Sequence, residues 1–500
     1  MMRAMTQVAV PQNQTSGKPA VAAHTFVAVV KRECDTCVMA MPVLRQVEQQ
    51  AERLGGKLEI HVQDDPGFAA GFSDARDDTE LATSYRYNID TVPTLIRLVD
   101  GQEDRRVVGW RREEWQAITG MASLGEGLPA FRPGCGSITM DPGMPARLKV
   151  KYGNTGLASR RIEVPALSDP VETCYERGWS DGMPVVPPTE ERVLEMLDGT
   201  SRSPREVIGM MPPNLAECTV EKVAINAVMA GCRPEYMPVV LTAIETALTP
   251  VFGLHGVLAT TNACTPVVMV NGPIARAIGM NSKGNVFGQG NRANAAIGRT
   301  LQLVVRNVGG GRPGEIDRSV FGSPAKYSFC FAEDEEDPRW ESYAVSLGYS
   351  PKQSTVTVFP GDGITQTIDH ISRSPEDLCR SYAPCIRAIY HPGHIIGVQA
   401  FLAIGGEHQN VFYDAGWSKT RVKEELLRLL MIPVREIVPG RSGLTGLTEE
   451  EKANPDNLVP KFKNGTFNII RAGGKAGKYS AIISSIGGRG SIEPVTKEIK

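Results

Sequence analysis

Net charge, long uninterrupted apolar runs and a secretory leader are what this sequence has least of, and each shortage removes a class of function. The 500 residues carry a formal charge of only −2, with a pI near 6.4. That balance gives no electrostatic case for binding nucleic acid or an anionic membrane surface. Residues 1–24 are small and polar, with no apolar core of the kind an export signal needs, and read as a disordered leader. The most apolar region, about residues 237–274, is interrupted by Glu245, Pro250, His255 and Pro266, so it reads as buried core and not as a membrane span. Low-complexity tracts are missing too. The 51 glycines and 35 prolines fall inside motif-like runs, the pattern of a loop-rich globular chain long enough for two or more domains.

Cysteine, in contrast, is present ten times, at 34, 37, 135, 174, 218, 232, 264, 330, 379 and 385. Without an export signal the expectation is a cytoplasmic, reducing setting in which most of these are free thiols. The pair Cys34-Asp35-Thr36-Cys37 stands out. Phe26–Val30 before it reads as a buried strand, and Val38, Met41, Val43, Leu44 and Val47 after it recur at helical spacing. A thiol at a strand-to-helix junction meets the positive end of the helix, which favours thiolate. A zinc site would want a second thiol or histidine pair nearby, and the local sequence offers none.

Residues 25–125 continue in an order that resembles the thioredoxin superfamily: a strand, the CxxC helix, a strand at Leu58–Val62, a helical patch near Glu80–Tyr87, the strand Thr94–Val99, an Asp100-Gly101 turn, a return at Arg105–Trp110 and a helix from about Arg112 to Met121. The resemblance implies that Cys34 is the attacking thiolate, Cys37 the resolving thiol and Pro93, in Val92-Pro93-Thr94, a cis-proline beside the disulfide. The chain departs from the family at Asp35-Thr36, where Gly-Pro is usual, and at Glu33, where Trp is usual. Two carboxylates beside Cys34 are expected to disfavour its thiolate.

Residues 126–170 read as a connector carrying Cys135-Gly136-Ser137-Ile138-Thr139. A cysteine between glycines sits on permissive backbone. The Ser137 and Thr139 hydroxyls are candidates to stabilise its sulfur; the alternative is a tight turn with an incidental thiol. Beyond it, residues 171–500 read as a larger mixed α/β domain. Cys135-Gly136-Ser137 followed by Gly178-Trp179-Ser180-Asp181-Gly182 resembles the UGSC family of proteins and selenoproteins, named for a selenocysteine-Gly-Ser-Cys motif. The resemblance implies that Cys135 stands at the selenocysteine position, as a nucleophile or redox atom. Ile138 replaces the second cysteine, so the expected resolving thiol is missing next door, and the Cys34/Cys37 module is expected to reduce Cys135 in its place.

Further candidates follow. Cys218 precedes Thr219, the expected N-cap of a helix over Val220–Ala230, and should gain from that positive helix end. Cys264 lies in Thr260–Pro266, before an apolar run that ends at Asn271. Trp179, Asp181 and Asn271 are candidate substrate contacts, as are Asn291 and Arg292 at the start of another helix, where amide N–H groups could face an anion. Gly288-x-Gly290-x-x-Ala293 matches a dinucleotide fingerprint only formally, because no firm strand leads into it. His391 and His394, with Glu407-His408, could form a metal site but lack diagnostic spacing. The run Gly473–Lys478 leads into a strand and so reads as a hairpin or substrate loop.

These features together lead us to expect an α/β protein and a thiol-dependent redox enzyme. Its CxxC module would regenerate a cysteine site, near Cys135, Cys218 or Cys264, that acts on a small molecule. A thioredoxin-type reductant is an expected partner, and a homo-oligomer stays open. The sequence specifies no cofactor, and a soft metal ion is the one that clustered thiols would suit. The alternatives are a cysteine- or soft-metal-dependent lyase or hydrolase cleaving carbon–sulfur or carbon–metal bonds, and a non-enzymatic redox-sensing scaffold.

Overall fold

The computed structural model describes residues 24–165, 167–437, 446–488 and 490–500. The leader expected over residues 1–24 lies, apart from His24, outside the described residues. The fold is α/β, and the chain divides after Thr155 into two compact units.

The first unit runs β1 (Thr25–Val30), α1 (Asp35–Arg53), β2 (Lys57–Val62), β3 (Ala75–Asp77), α2 (Ala82–Arg86), β4 (Thr91–Val92), β5 (Thr94–Val99), β6 (Gln102–Val108), β7 (Trp110–Arg111), α3 (Arg112–Thr119), β8 (Phe131–Arg132), β9 (Cys135–Gly136) and α4 (Met144–Tyr152). Its main sheet has the order β3-β2-β1-β5-β6, with β1–β2 and β2–β3 parallel and β5 antiparallel to both β1 and β6. This is a thioredoxin-like arrangement. β1 is central and reads as a continuous apolar run because both faces are covered. The β5–β6 turn puts Asp100 and Gly101 at φ 51° and 77°, as a two-residue hairpin requires. Along α1, Cys37, Ala40, Leu44, Val47 and Ala51 form the buried stripe.

The boundary expected at residue 125 falls later. β8 pairs with β7 and β9 with β4, so the segment expected to be a connector is woven into the first unit. Helix α4 closes that unit, its Tyr152 ring 6.0 Å from Tyr85 of α2.

The second unit holds two four-stranded sheets. One has the order Cys330–Ala332, Thr265–Asn271, Thr355–Gly361, Val495–Glu498; the other Ile364–Ile368, Tyr479–Ile486, Val398–Ile404, Phe467–Arg471. Alternation along the strands sorts side chains between cores. Val267, Met269 and Phe359 of the first sheet meet Phe401, Ala403, Ile470 and Ile483 of the second in one shared cluster. Val268, Val270, Val356 and Val358 point the other way, toward helices Val220–Ala230, Met237–Ala247 and Arg292–Asn307. Ala400, Leu402, Ile404, Ile469 and Ile482 point toward Pro375–Arg387, Gly406–Asp414 and Lys419–Leu429. The unit is therefore a four-layer stack, helices–sheet–sheet–helices. Among the described residues no single helix is long and apolar enough to cross a membrane. The strand Val398–Ile404 lies between Phe467–Arg471 and Tyr479–Ile486, so the Gly473–Lys478 loop crosses over it and is not a hairpin.

Candidate active site

Strand β1 ends at Val30, and the Asp64 carboxylate fixes the turn that follows by accepting the backbone N–H groups of Arg32 (2.8 Å) and Glu33 (2.9 Å). Cys34 is then the N-cap of α1, with extended backbone (φ −135°, ψ 107°), and its sulfur accepts the Cys37 N–H at 3.3 Å. This is a capping geometry with sulfur in place of oxygen. The Cys34 Sγ also lies 3.6 Å from the carbonyl oxygen of Val92, whose bond to Pro93 is cis. Cys34 and Cys37 are 1% and 0% exposed, respectively.

The two thiols are pushed apart. A hydrogen bond from the Cys37 thiol, working against burial, is the largest influence on Cys34; further bonds come from the Cys135 thiol and the backbone N–H groups of Cys37 and Thr36. Together they lower it from 9.0 to about 5. Cys37 moves strongly upward, because it is buried and because it donates to Cys34. The expectation that Glu33 and Asp35 would make Cys34 less acidic is corrected. Both side chains point to solvent, where charge is screened, and Asp35 is paired with Arg132 at 3.0 Å. Local hydrogen bonds decide the matter.

Cys135 belongs to this same cluster. In the β4–β9 pairing it sits opposite Val92, with Gly136 opposite Thr91. Its thiol is half-buried and held upward by burial and by its bond to Cys34, while Lys31 acts in the opposite direction. Lys31 Nζ donates to Gly136 O (2.8 Å) and Thr36 Oγ1 to Pro133 O (2.7 Å). Ser137 does not face the sulfur. Its hydroxyl is buried and accepts from Gln63 Nε2 (2.7 Å), while Thr139 bonds to Ser137 Oγ and Ile89 O. Those hydroxyls anchor the loop.

The other candidates are placed differently from expectation. Cys218 is fully buried, and burial pushes its thiol up to about 12, overriding the helix end. Cys264, 1% exposed, is likewise pushed up to about 12. Asp181 is bound on both oxygens by Arg299 (2.8 and 2.7 Å), tying its loop to a helix. Asn271 is buried and donates to Glu333 (2.7 Å) and Glu335 (3.1 Å). Asn291 caps its helix by accepting from Asn294 N, and Arg292 donates to Gly231 O (2.8 Å), the end of another helix, so neither awaits an anion. His391 Nδ1 accepts the Gly393 N–H and His408 bonds to Ser480 and Asp369 O. No group of three metal-ligating side chains is found among the described residues. Trp179 lines a cavity of about 620 Å³, with Asn226, Lys222 and Asn307; the Asn307 Oδ1 is buried without a partner.

Sequence reasoning missed Lys31, Thr36, Asp64 and Val92, which hold the thiols in place. It also missed Asp362, which lines a second cavity of about 600 Å³, accepts from Ser484 Oγ (2.7 Å) and is raised by burial. None carries a local signal beyond adjacency to the CxxC or the cis-proline.

No family model and no curated protein matches the chain. Among solved structures, it is similar to a putative thiol:disulfide interchange protein DsbE from Chlorobium tepidum, at 18% identity over 21% of this chain and 83% of that one, with TM-score 0.18. It is also similar to StoA from Bacillus subtilis, at 14% identity over 20% of this chain and 84% of that one, with TM-score 0.17.

Proposed function

We propose that the chain is a thiol–disulfide oxidoreductase whose attacking atom is Cys34 Sγ. The observation that carries this reading is the geometry of Cys34, which caps α1 with its sulfur accepting the Cys37 N–H at 3.3 Å beside the cis Val92–Pro93 bond, an arrangement that favours thiolate at Cys34 and thiol at Cys37. In the exchange, the Cys34 thiolate attacks one sulfur of a disulfide and the other sulfur leaves as thiolate. Cys37 then gives up its proton and attacks Cys34 Sγ, releasing the second thiol and closing the Cys34–Cys37 disulfide. Two electrons and the Cys37 proton pass from the protein to the disulfide, and solvent supplies the second proton, in place of the one Cys34 had already lost. A thioredoxin-type dithiol returns the pair to its reduced form, in a reducing compartment.

The larger unit contributes a small-molecule site in this reading, at the cavity beside Trp179, Lys222 and Asn307. Its buried cysteines are packing groups. The resemblance to the UGSC family supports a redox role for Cys135 as well.

The test is to mix fully reduced protein with glutathione disulfide and count protein thiols lost against glutathione released. Wild type should lose two thiols per disulfide reduced, and Cys34→Ser none by this route. A wild-type protein that keeps all its thiols under these conditions overturns the reading.

A further inference from the structure

Of the three clustered thiols, only Cys135 has appreciable contact with solvent; Cys34 and Cys37 are 1% and 0% exposed. The edge of β4 beside Cys34 is also already taken. An extended peptide offering a disulfide to Cys34 would have to pair with Thr91–Val92, because Val92 O lies 3.6 Å from Cys34 Sγ. Gly136 and Cys135 already pair there, fastened by Lys31 to Gly136 O, Thr36 to Pro133 O and Arg132 to Asp35. The chain has docked a strand of its own where a substrate strand would go, with a cysteine opposite Val92.

We propose that Cys135 is the port of this centre: low-mass disulfides exchange at Cys135, and the disulfide sulfur that Cys34 attacks is Cys135's own. This rests on the reading of Cys34 and Cys37 given above and names its substrate class and route.

Three exchanges make up the sequence, each conserving sulfur bonds. Cys135 gives up its proton as it attacks a low-mass disulfide RSSR, forming Cys135–SR and releasing one RS⁻, which takes that proton. The Cys34 thiolate attacks Cys135 Sγ; the bond to SR breaks, the second thiolate leaves, and a Cys34–Cys135 disulfide forms. Cys37 loses its proton and attacks Cys34 Sγ, so that the electron pair of the broken bond stays on Cys135, which is protonated as Cys37 is consumed. The result is a Cys34–Cys37 disulfide, a restored Cys135 thiol and two molecules of RSH, the second R sulfur taking its proton from solvent in place of the Cys34 proton already lost. No oxidant beyond RSSR is needed.

The experiment uses the full-length protein, reduced and then exposed to limiting glutathione disulfide, with intact mass and peptide mapping. Cys34→Ser should accumulate glutathione on Cys135, and Cys37→Ser should accumulate a Cys34–Cys135 bridge. Cys135→Ser should reduce glutathione disulfide at least about tenfold more slowly, with its Cys34 thiolate absorbance still present as proof of an intact centre. Glutathione trapped on Cys34 in Cys37→Ser, or an unslowed Cys135→Ser, overturns the port while leaving the dithiol reading standing. Absence of any protein disulfide in wild type overturns the dithiol reading itself.

Discussion

Thr36 Oγ1 donates a 2.7 Å hydrogen bond to Pro133 O, joining the first turn of the CxxC helix to the strand segment that carries Cys135. The position between the two cysteines thereby acts as a fastener. Replacing Thr36 by Val keeps its shape and removes the donor. We expect a stability loss of about 1 kcal/mol and faster alkylation of Cys34, measured by denaturant unfolding and by timed labelling. Unchanged labelling would show that the fastener does not control access.

Gly134 offers a second way to loosen the same segment. A Cβ there would lie 2.5 Å from Thr91 Cγ2 and 2.7 Å from Val92 O. Gly134→Ala should therefore push the segment off β4 at a cost of about 1–3 kcal/mol. Cys34 should become more readily alkylated and lose its bond from Cys135, and the thiolate titration should move up accordingly.

The pH dependence follows from the same cluster. Cys34 releases its proton near 5 when folded and near 9 when unfolded, so between those values the unfolded chain binds more protons. Stability of the reduced protein should rise with pH across that window and fall away as pH drops toward 5. Thiolate absorbance should titrate with a midpoint near 5 in wild type. In Cys37→Ala, which removes the largest lowering influence, the midpoint should move up toward an ordinary thiol. A midpoint that stays put would transfer the effect to the backbone donors.

In the larger unit, Arg299 and Asp181 form a two-bond ion pair with side chains only 13% and 12% exposed. Arg299→Met strands the carboxylate and should cost about 3 kcal/mol, seen as a lower melting temperature. The double variant Arg299→Met/Asp181→Leu should recover part of that loss.

The CxxC at a strand–helix junction and the four strands expected at Phe26–Val30, Leu58–Val62, Thr94–Val99 and Arg105–Trp110 were legible because they rest on local periodicity and turn chemistry, whereas the cis-proline after Val92 was implied by the thioredoxin resemblance. The membership of Cys135 in that unit was not, because two-residue strands such as Thr91–Val92 and Cys135–Gly136 leave no periodic trace and pair across more than forty positions. Cys218 shows the opposite failure. Its helix-end position is visible in sequence, but the burial that dominates its chemistry comes from residues distant in the chain. Asn291 and Arg292 were read as ligand groups when their polar atoms complete helix ends, a use that looks the same in sequence. The double sheet was hidden for a related reason: strands covered on both faces lack the polar–apolar alternation that assigns a side.

That last property has a consequence for how Val398–Ile404 finds its place. Slipping it by one residue would exchange Phe401 with Leu402 between the inner and outer cores, and both destinations are apolar. For that pair of positions hydrophobicity cannot penalise the error. What can is volume: Phe401 stacks on Phe359 of the opposing sheet with ring centroids 4.0 Å apart, a slot that a leucine would leave partly empty. In this strand the alignment is set by the shapes of side chains meeting across the sheets, together with the bonds that buried Gln399 makes to Ile486 O, Ile492 O and Thr466.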